Sequence, residues 1–253
     1  MSSVDSALRD VVARRQEIDT VPDVIAAFLS IQSALPLTDG LRWFNGLYSA
    51  VTVAFAAELN SPEWRDPSWI RLLDVKFAGL YFEALAKALS DGGSAPKCWQ
   101  PLFSSRQRTD VTKLQLALAG MNAHINHDLA VAVFETCRAR GIDPIDGSGQ
   151  HADYLRINAI LKTVTDEART ELLQGVPGAD LPDLQAASDI AAMWSVERAR
   201  DTAWENAQIL WELRRLPLLR ERFRVNLDRL TGLAGRGLLA PVTLKLGRAA
   251  GAR

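Results

Sequence analysis

Apolar residues recur along this chain at intervals of three and four, the period of a helix with one face turned to a core. Ala and Leu dominate these stretches, β-branched residues are sparse, and Gly and Pro fall mostly between them. Both features favour helix over strand. The pattern predicts a first helix over Ser3 to Ile18 behind a serine cap, and a second opened by Pro22 and running to Leu35. Pro36 to Gly40 reads as a turn, a third helix follows from Leu41 to Leu59, and a fourth runs from Asp66-Pro67 to Leu89. Residues 97–108 read as a short helix and loop, and Thr109-Asp110 as the cap of a long helix ending near Gly141. Two more long helices are expected, over His151 to Leu173 and Leu184 to Arg215, then a last one over Leu218 to Leu233 after Pro217.

These segments make eight or nine helices, with no sheet and no fixed-period repeat. No linker is long or polar enough to mark a boundary. The expected fold class is therefore all-α, a single-domain helical bundle over residues 1–253. Its core is expected over about residues 20–234, with an extended basic tail over 235–253.

Composition agrees with this picture. With 253 residues, 48% of them hydrophobic, the chain can bury a sizeable core. Cys98 and Cys137 are too few for a disulfide framework, and no signal peptide opens the chain, so a cytoplasmic setting is expected. The most apolar run, Ala50 to Leu59, is shorter than the about 20 residues that span a bilayer. The net charge of −1 hides an asymmetry: Arg214 to Arg253 hold ten Lys/Arg against two acids. Solvated helix faces explain such a surplus, and no zinc-finger spacing or aromatic nucleic-acid motif accompanies it, so no nucleic-acid partner is expected.

One stretch breaks the helical rule. Gly120-Met-Asn-Ala-His-Ile-Asn-His-Asp-Leu129 places two of the three histidines, two asparagines and an aspartate inside a long apolar helix. Asn and Asp compete for the backbone in helix interiors, so such a cluster needs a reason. His124 and Asp128, four apart, share a face. That is the arrangement of a general base oriented by a carboxylate. Asn122 and Asn126 share a neighbouring face. Further polar and aromatic blocks sit at helical spacing: Arg42 to Tyr48, with Trp43 and Asn45; Asp74 to Glu83, with Tyr81; His151 to Asn158, with Asp153; and Trp204 to Asn206. Such groups satisfy one another in a register-fixing network or line a common cavity.

Other chemistries find less support. His124, Asp128, His151 and Asp153 would make a mixed nitrogen–oxygen metal set, but HExxH and the paired Glu-x-x-His of di-iron bundles are absent. There is no G-x-S-x-G and no phosphate-binding loop. Asp74 stands alone, so the paired aspartates that hold magnesium diphosphate in helical terpene cyclases are missing.

The blocks Gly120-Met-Asn-Ala-His-Ile-Asn-x-Asp-Leu129, Arg42-Trp-Phe-Asn-x-Leu-Tyr48, His151-Ala-Asp-Tyr-x-Arg-Ile-Asn158 and Ala203-Trp-x-Asn-Ala207 resemble a bacterial family of uncharacterised all-helical proteins. The resemblance runs from about residue 38 to 240 and implies that these blocks belong together, without implying a reaction. In that pattern the position of His127 is variable. The resemblance thus points to Asn122, His124, Asn126, Asp128 and Asp153.

The leading reading is a small-molecule enzyme that isomerises, cyclises or eliminates on a hydrophobic, polyketide- or isoprenoid-like metabolite and needs no cofactor. His124, Asp128 and Asp153 would supply acid–base chemistry. Trp43, Asn45, Tyr48, Tyr81, Asn122, Asn126, His151, Asn158 and Trp204 would bind the substrate. The alternatives are a non-catalytic ligand-binding or regulatory protein and a mononuclear metal-dependent oxidase or hydrolase.

Overall fold

The computed structural model describes residues 3–174 and 195–240, and every regular element among them is helical. In chain order these are α1 (Ser3–Ala13), α2 (Val21–Ala34), α3 (Leu41–Glu58), α4 (Pro67–Leu89), α5 (Gln100–Ser105), α6 (Lys113–Ala123), α7 (Leu129–Arg140), α8 (Gly149–Gln174), α9 (Val196–Glu212) and α10 (Pro217–Leu238). None of them is long and apolar enough to cross a membrane.

Between α6 and α7 lies a π turn, His124–Asp128, so that α6, the turn and α7 form one continuous rod. This rod is the centre of the fold. Every residue from 114 to 134 is buried except Asn126. A helix that is apolar on all sides is one enclosed on all sides. Here α3 and α10 cover α6, while α4 and α9 cover α7. Gly120 makes the first of these contacts possible. A Cβ there would sit 2.4 Å from the Phe44 ring, so only glycine lets α3 come this close.

Local signals set most of the ends. Thr20 and Asp23 form a reciprocal capping box, with Pro22 in the first turn of α2. Asp66 caps α4 by accepting from the Trp69 N–H. The rod begins three residues later than Thr109-Asp110 suggests, because Thr112 and Gln115 make the working box. Asp110 is instead tied to Arg108 in the preceding loop. The rod ends at Gly141, whose φ of 66° is the left-handed cap position.

The ends of the molecule differ from the expected core of 20–234. The first helix stops at Ala13, followed by a 3₁₀ turn at Arg15–Glu17. It belongs to the core, with Leu8 and Val12 buried against α2 and α4. At the other end, Gly235 does not begin a tail. It is buried beside Pro101, α10 continues to Leu238, and Gln115 Nε2 donates to the carbonyls of Leu238 and Ala240. A side chain from the central rod thus fastens the chain four and six residues past the expected end of the core. The expected loop after residue 173, residues 184–194 of the helix expected over Leu184 to Arg215, and the tail beyond 240 lie outside the described residues. That helix does not run through to them, because Ser195 is extended and caps α9 at Val196 by accepting from the Arg198 N–H. It ends at Glu212 in a 3₁₀ turn, Leu213–Arg215.

Candidate functional site

The site is built on the π turn. A π turn carries an i→i+5 hydrogen bond, here from Leu129 N–H to the His124 carbonyl, and it fits one extra residue into the helical turn. The side chains of residues 124, 127 and 128 are thereby gathered at one point, and Asp128 is their hub. Its Oδ1 lies 2.7 Å from His127 Nδ1, and its Oδ2 lies 3.1 Å from His124 Nδ1 and 2.9 Å from Trp99 Nε1, which donates to it. Burial alone would raise the Asp128 carboxyl, but the hydrogen bonds from the two histidines outweigh it and hold it below the ordinary carboxylate range. An ionised carboxylate only accepts, so both imidazoles present Nδ1–H to it. The Nε2 of each ring is then the basic nitrogen.

His124 Nε2 is buried and has no hydrogen-bond partner. The ring stacks on Phe77 and is further enclosed by Phe44, Tyr48, Tyr81 and Trp99. Burial keeps it neutral, lowering its pKa despite the opposing pull of Asp128. The ring edges a cavity of about 80 Å³ between α3, α4, the rod, α8 and α9, with apolar walls that include Leu47, Val51, Phe55, Leu73, Ile157 and Leu161.

Two more unpartnered polar atoms belong to this cavity, the Tyr48 hydroxyl and Asp74 Oδ2. Burial pushes the Asp74 carboxyl up to about 7, although the residue as a whole is only half-buried. Burial, with the charges of Asp74 and Asp128 nearby, pushes the Tyr48 phenol well above its ordinary value. At neutral pH the cavity thus offers a basic nitrogen, a phenolic O–H and a carboxyl poised between its two forms. A native interior seldom leaves three such groups unsatisfied around one space.

Most of the polar blocks named from the sequence do structural work elsewhere. Asp153 is a correction to the expected acid–base set. It is buried, but both oxygens accept backbone N–H groups, from Arg65 and Asp66, where they hold the entry to α4. Asn45 brackets α2 and α4 through the Phe28 carbonyl, Gln32 and Tyr81. Asn122 donates to the Thr231 carbonyl of α10 and accepts from Asn126. His151 stacks on Trp204, whose indole N–H donates to Asp146. Trp43 carries the Lys113 ammonium over its ring. Asn158 accepts from Arg200. Of the twelve residues, only His124 and Tyr48 line the cavity.

The proposed metal set of His124, Asp128, His151 and Asp153 is not brought together either. Among the described residues the one cluster with metal-ligating character is Cys98, His127 and Asp128, whose ligand atoms lie within 4.8 Å of one another, all buried. Burial, with Asp128 and Asp228 nearby, raises the Cys98 thiol and keeps it protonated. A cation entering there would displace that proton and the one on His127 Nδ1.

Sequence reasoning set aside His127 and Asp74 and did not weigh Trp99 or Arg200. Helical spacing carried a signal for two of these. Asp74 falls on the α4 face of Ile70, Leu73, Phe77 and Tyr81, and Arg200 on the α9 face of Ala203, Trp204 and Ala207. Both are polar intrusions on core faces. Trp99 is 29 residues from Asp128 with no pattern linking them.

Fold and site together define an all-helical protein with an aromatic-walled interior cavity served by an Asp–His pair. Residues 21–241 match a family of unknown function (DUF5995), and the chain belongs to that family. No curated protein and no solved structure matches it.

Proposed function

We propose that the protein is a small-molecule enzyme in which His124 acts as a general base on an apolar substrate held in the cavity. The supporting observation is the state of His124: Nδ1 committed to a carboxylate, Nε2 basic, buried and unpartnered at the cavity wall. A base so placed needs no proton removed before it acts. Asp74 or Tyr48 would return a proton to another atom of the substrate, which suits isomerisation, cyclisation or elimination and requires no cofactor. Asp128 is a positioning residue, since it acts through the imidazole. Both cysteines are free and buried, which fits the cytoplasmic setting we assign.

The test is untargeted mass spectrometry of a metabolite extract incubated with wild-type protein and with His124→Gln. One or more apolar species should be consumed, with a product of equal mass or a mass lower by water, only by the wild type. A species bound tightly by both and changed by neither would make this a ligand-binding protein and sink the enzymatic reading.

A second reading follows from the Cys98, His127 and Asp128 cluster: a mononuclear metal site, with His124 in reserve beside it. Elemental analysis of protein purified without chelator decides it. A stoichiometric transition metal lost in Cys98→Ser would support it, and metal below a tenth of an equivalent after zinc loading would end it.

A further inference from the structure

The far wall of the cavity holds a charge without an ion-pair partner among the described residues. Arg200, on α9, lines the same space as His124 and Asp74 and is 4% exposed. Its Nε donates to Asn158 Oδ1 and its Nη2 to the Tyr154 carbonyl, both at 2.6 Å. The guanidinium also rests over the Tyr154 ring, 4.2 Å from its centroid. These are neutral partners, and they engage two of five N–H groups. Among the described residues no carboxylate lies within ion-pair distance of Arg200. Asp201, its exposed chain neighbour on α9, acts on it without pairing, and Asp74, the other ionisable wall residue, is not among the charges that do.

Burial lowers the Arg200 pKa, yet a guanidinium remains cationic in any protein interior. An enclosed cation usually has an anion beside it, because desolvation is costly and neutral contacts offset only part of it. A buried polar network that merely fixed the packing of α8 against α9 would be closed. This one has its cation on the lining of the cavity, with only two neutral acceptors beside it.

We propose that Arg200 is the anchor for the carboxylate of an apolar monocarboxylic acid, whose hydrocarbon body lies along the cavity toward His124. The planar fork of arginine matches a carboxylate with two parallel hydrogen bonds, which a lysine cannot do. The walls between the two ends include the uncharged Leu47, Val51, Leu73, Ile157 and Leu161, and Asp74 is the one other ionisable side chain on the lining besides His124 and the Tyr48 phenol. The acid end is therefore recognised at α9, and the carbon chemistry falls to the π turn. This assignment rests on the cavity being the substrate site and names the class of substrate it takes.

The experiment is calorimetric titration of the full-length protein at pH 7.5 with three matched ligands on each of two skeletons. These are hexanoate, hexanamide and hexylamine, and phenylacetate, phenylacetamide and phenethylamine. The acid of at least one set should bind about tenfold or more tighter than its amide, and Arg200→Gln should remove that preference while leaving amide binding within a factor of three. Arg200→Lys should recover only part of it, and it serves in place of the glutamine variant if that one fails to fold. Equal affinity for acid and amide overturns the proposal. So does tighter binding of the amine, which would move the anchor to Asp74, and so does failure of every acid to bind. Turnover is not read here, so anchor and acid–base step stand or fall separately.

Discussion

The imidazole of His124 lies flat on the ring of Phe77, with centroids 3.5 Å apart and planes 7° from parallel. Together with the bond from Nδ1 to Asp128, this stack fixes the ring in tilt and in rotation, so Nε2 has one direction available. The stacked, apolar face also favours the neutral ring. Long-range nitrogen NMR should find His124 at pH 7.5 with its proton on Nδ1 and a bare Nε2, because burial lowers its pKa from the ordinary 6.5. A proton on Nε2 at pH 7.5 would take the base out of the cavity and with it the proposed chemistry.

Tyr48→Phe should leave stability unchanged or raise it by up to about 1 kcal/mol, since it removes a buried hydroxyl that has no partner. Urea unfolding of the two proteins measures this. A loss above about 2 kcal/mol would mean that the hydroxyl is satisfied in solution and that the cavity is less open to a ligand.

Asp74 should make the protein less stable as pH rises. Its folded pKa of about 7 is above the unfolded value of 3.8, so the native state holds a proton that the unfolded chain has released. The resulting penalty is absent below pH 4, grows between pH 4 and 7, and is complete above 7. In full isolation such a shift corresponds to roughly 4 kcal/mol, and water reaching the half-buried residue keeps it nearer about 2. Subtracting the pH profile of Asp74→Asn from that of the wild type isolates the effect. A flat difference between pH 4 and 8 would refute the raised pKa.

Asp128→Ala should cost about 2–4 kcal/mol, because it strands donors on His124, His127 and Trp99 together. The carboxylate's own contribution is present above pH 4 and disappears as pH falls below its lowered native pKa. Chemical denaturation at pH 7 is the measurement. A cost under about 1 kcal/mol would show that the hub is not what holds the two imidazoles.

Gly120→Ala tests the rod's fit against α3. The new methyl carbon would meet Phe44 at 2.4 Å, and that ring is wedged among Tyr48, Tyr81, Trp99 and His124. Overpacking of this kind costs about 1–3 kcal/mol. A thermal melt within 1 °C of wild type would mean that α3 moves aside freely.

Helix after helix was legible in the sequence because each carries its own period and its own start signal, as at Pro22, Asp66 and Pro217. The weight placed on His124 and Asp128 was also legible, since polar residues on a core helix have few places to go. The rest depended on partners far along the chain. Asp153 belongs to a helix beside the site but spends its carboxylate on backbone amides, which no side-chain pattern reveals. The stretch stood out as unusual for a helix interior, but the π turn itself was hidden, because no side-chain pattern tells an i→i+5 bond from an i→i+4 one. Only the closeness of His127 to Asp128, neighbours that an α-helix would splay apart, shows what the extra residue accomplishes.

That extra residue is separable from the architecture. If one residue of His124–Asp128 were deleted, the turn could close to i→i+4 bonds and the rod run on as uniform α-helix, with the residues after it in nearly the same orientation. Val131, Phe134 and Cys137 would keep their inward packing toward α4 and α9. The irregularity can therefore be lost in one step without refitting either half of the rod to its neighbours. A lineage could shed the gathered imidazoles and still keep the bundle.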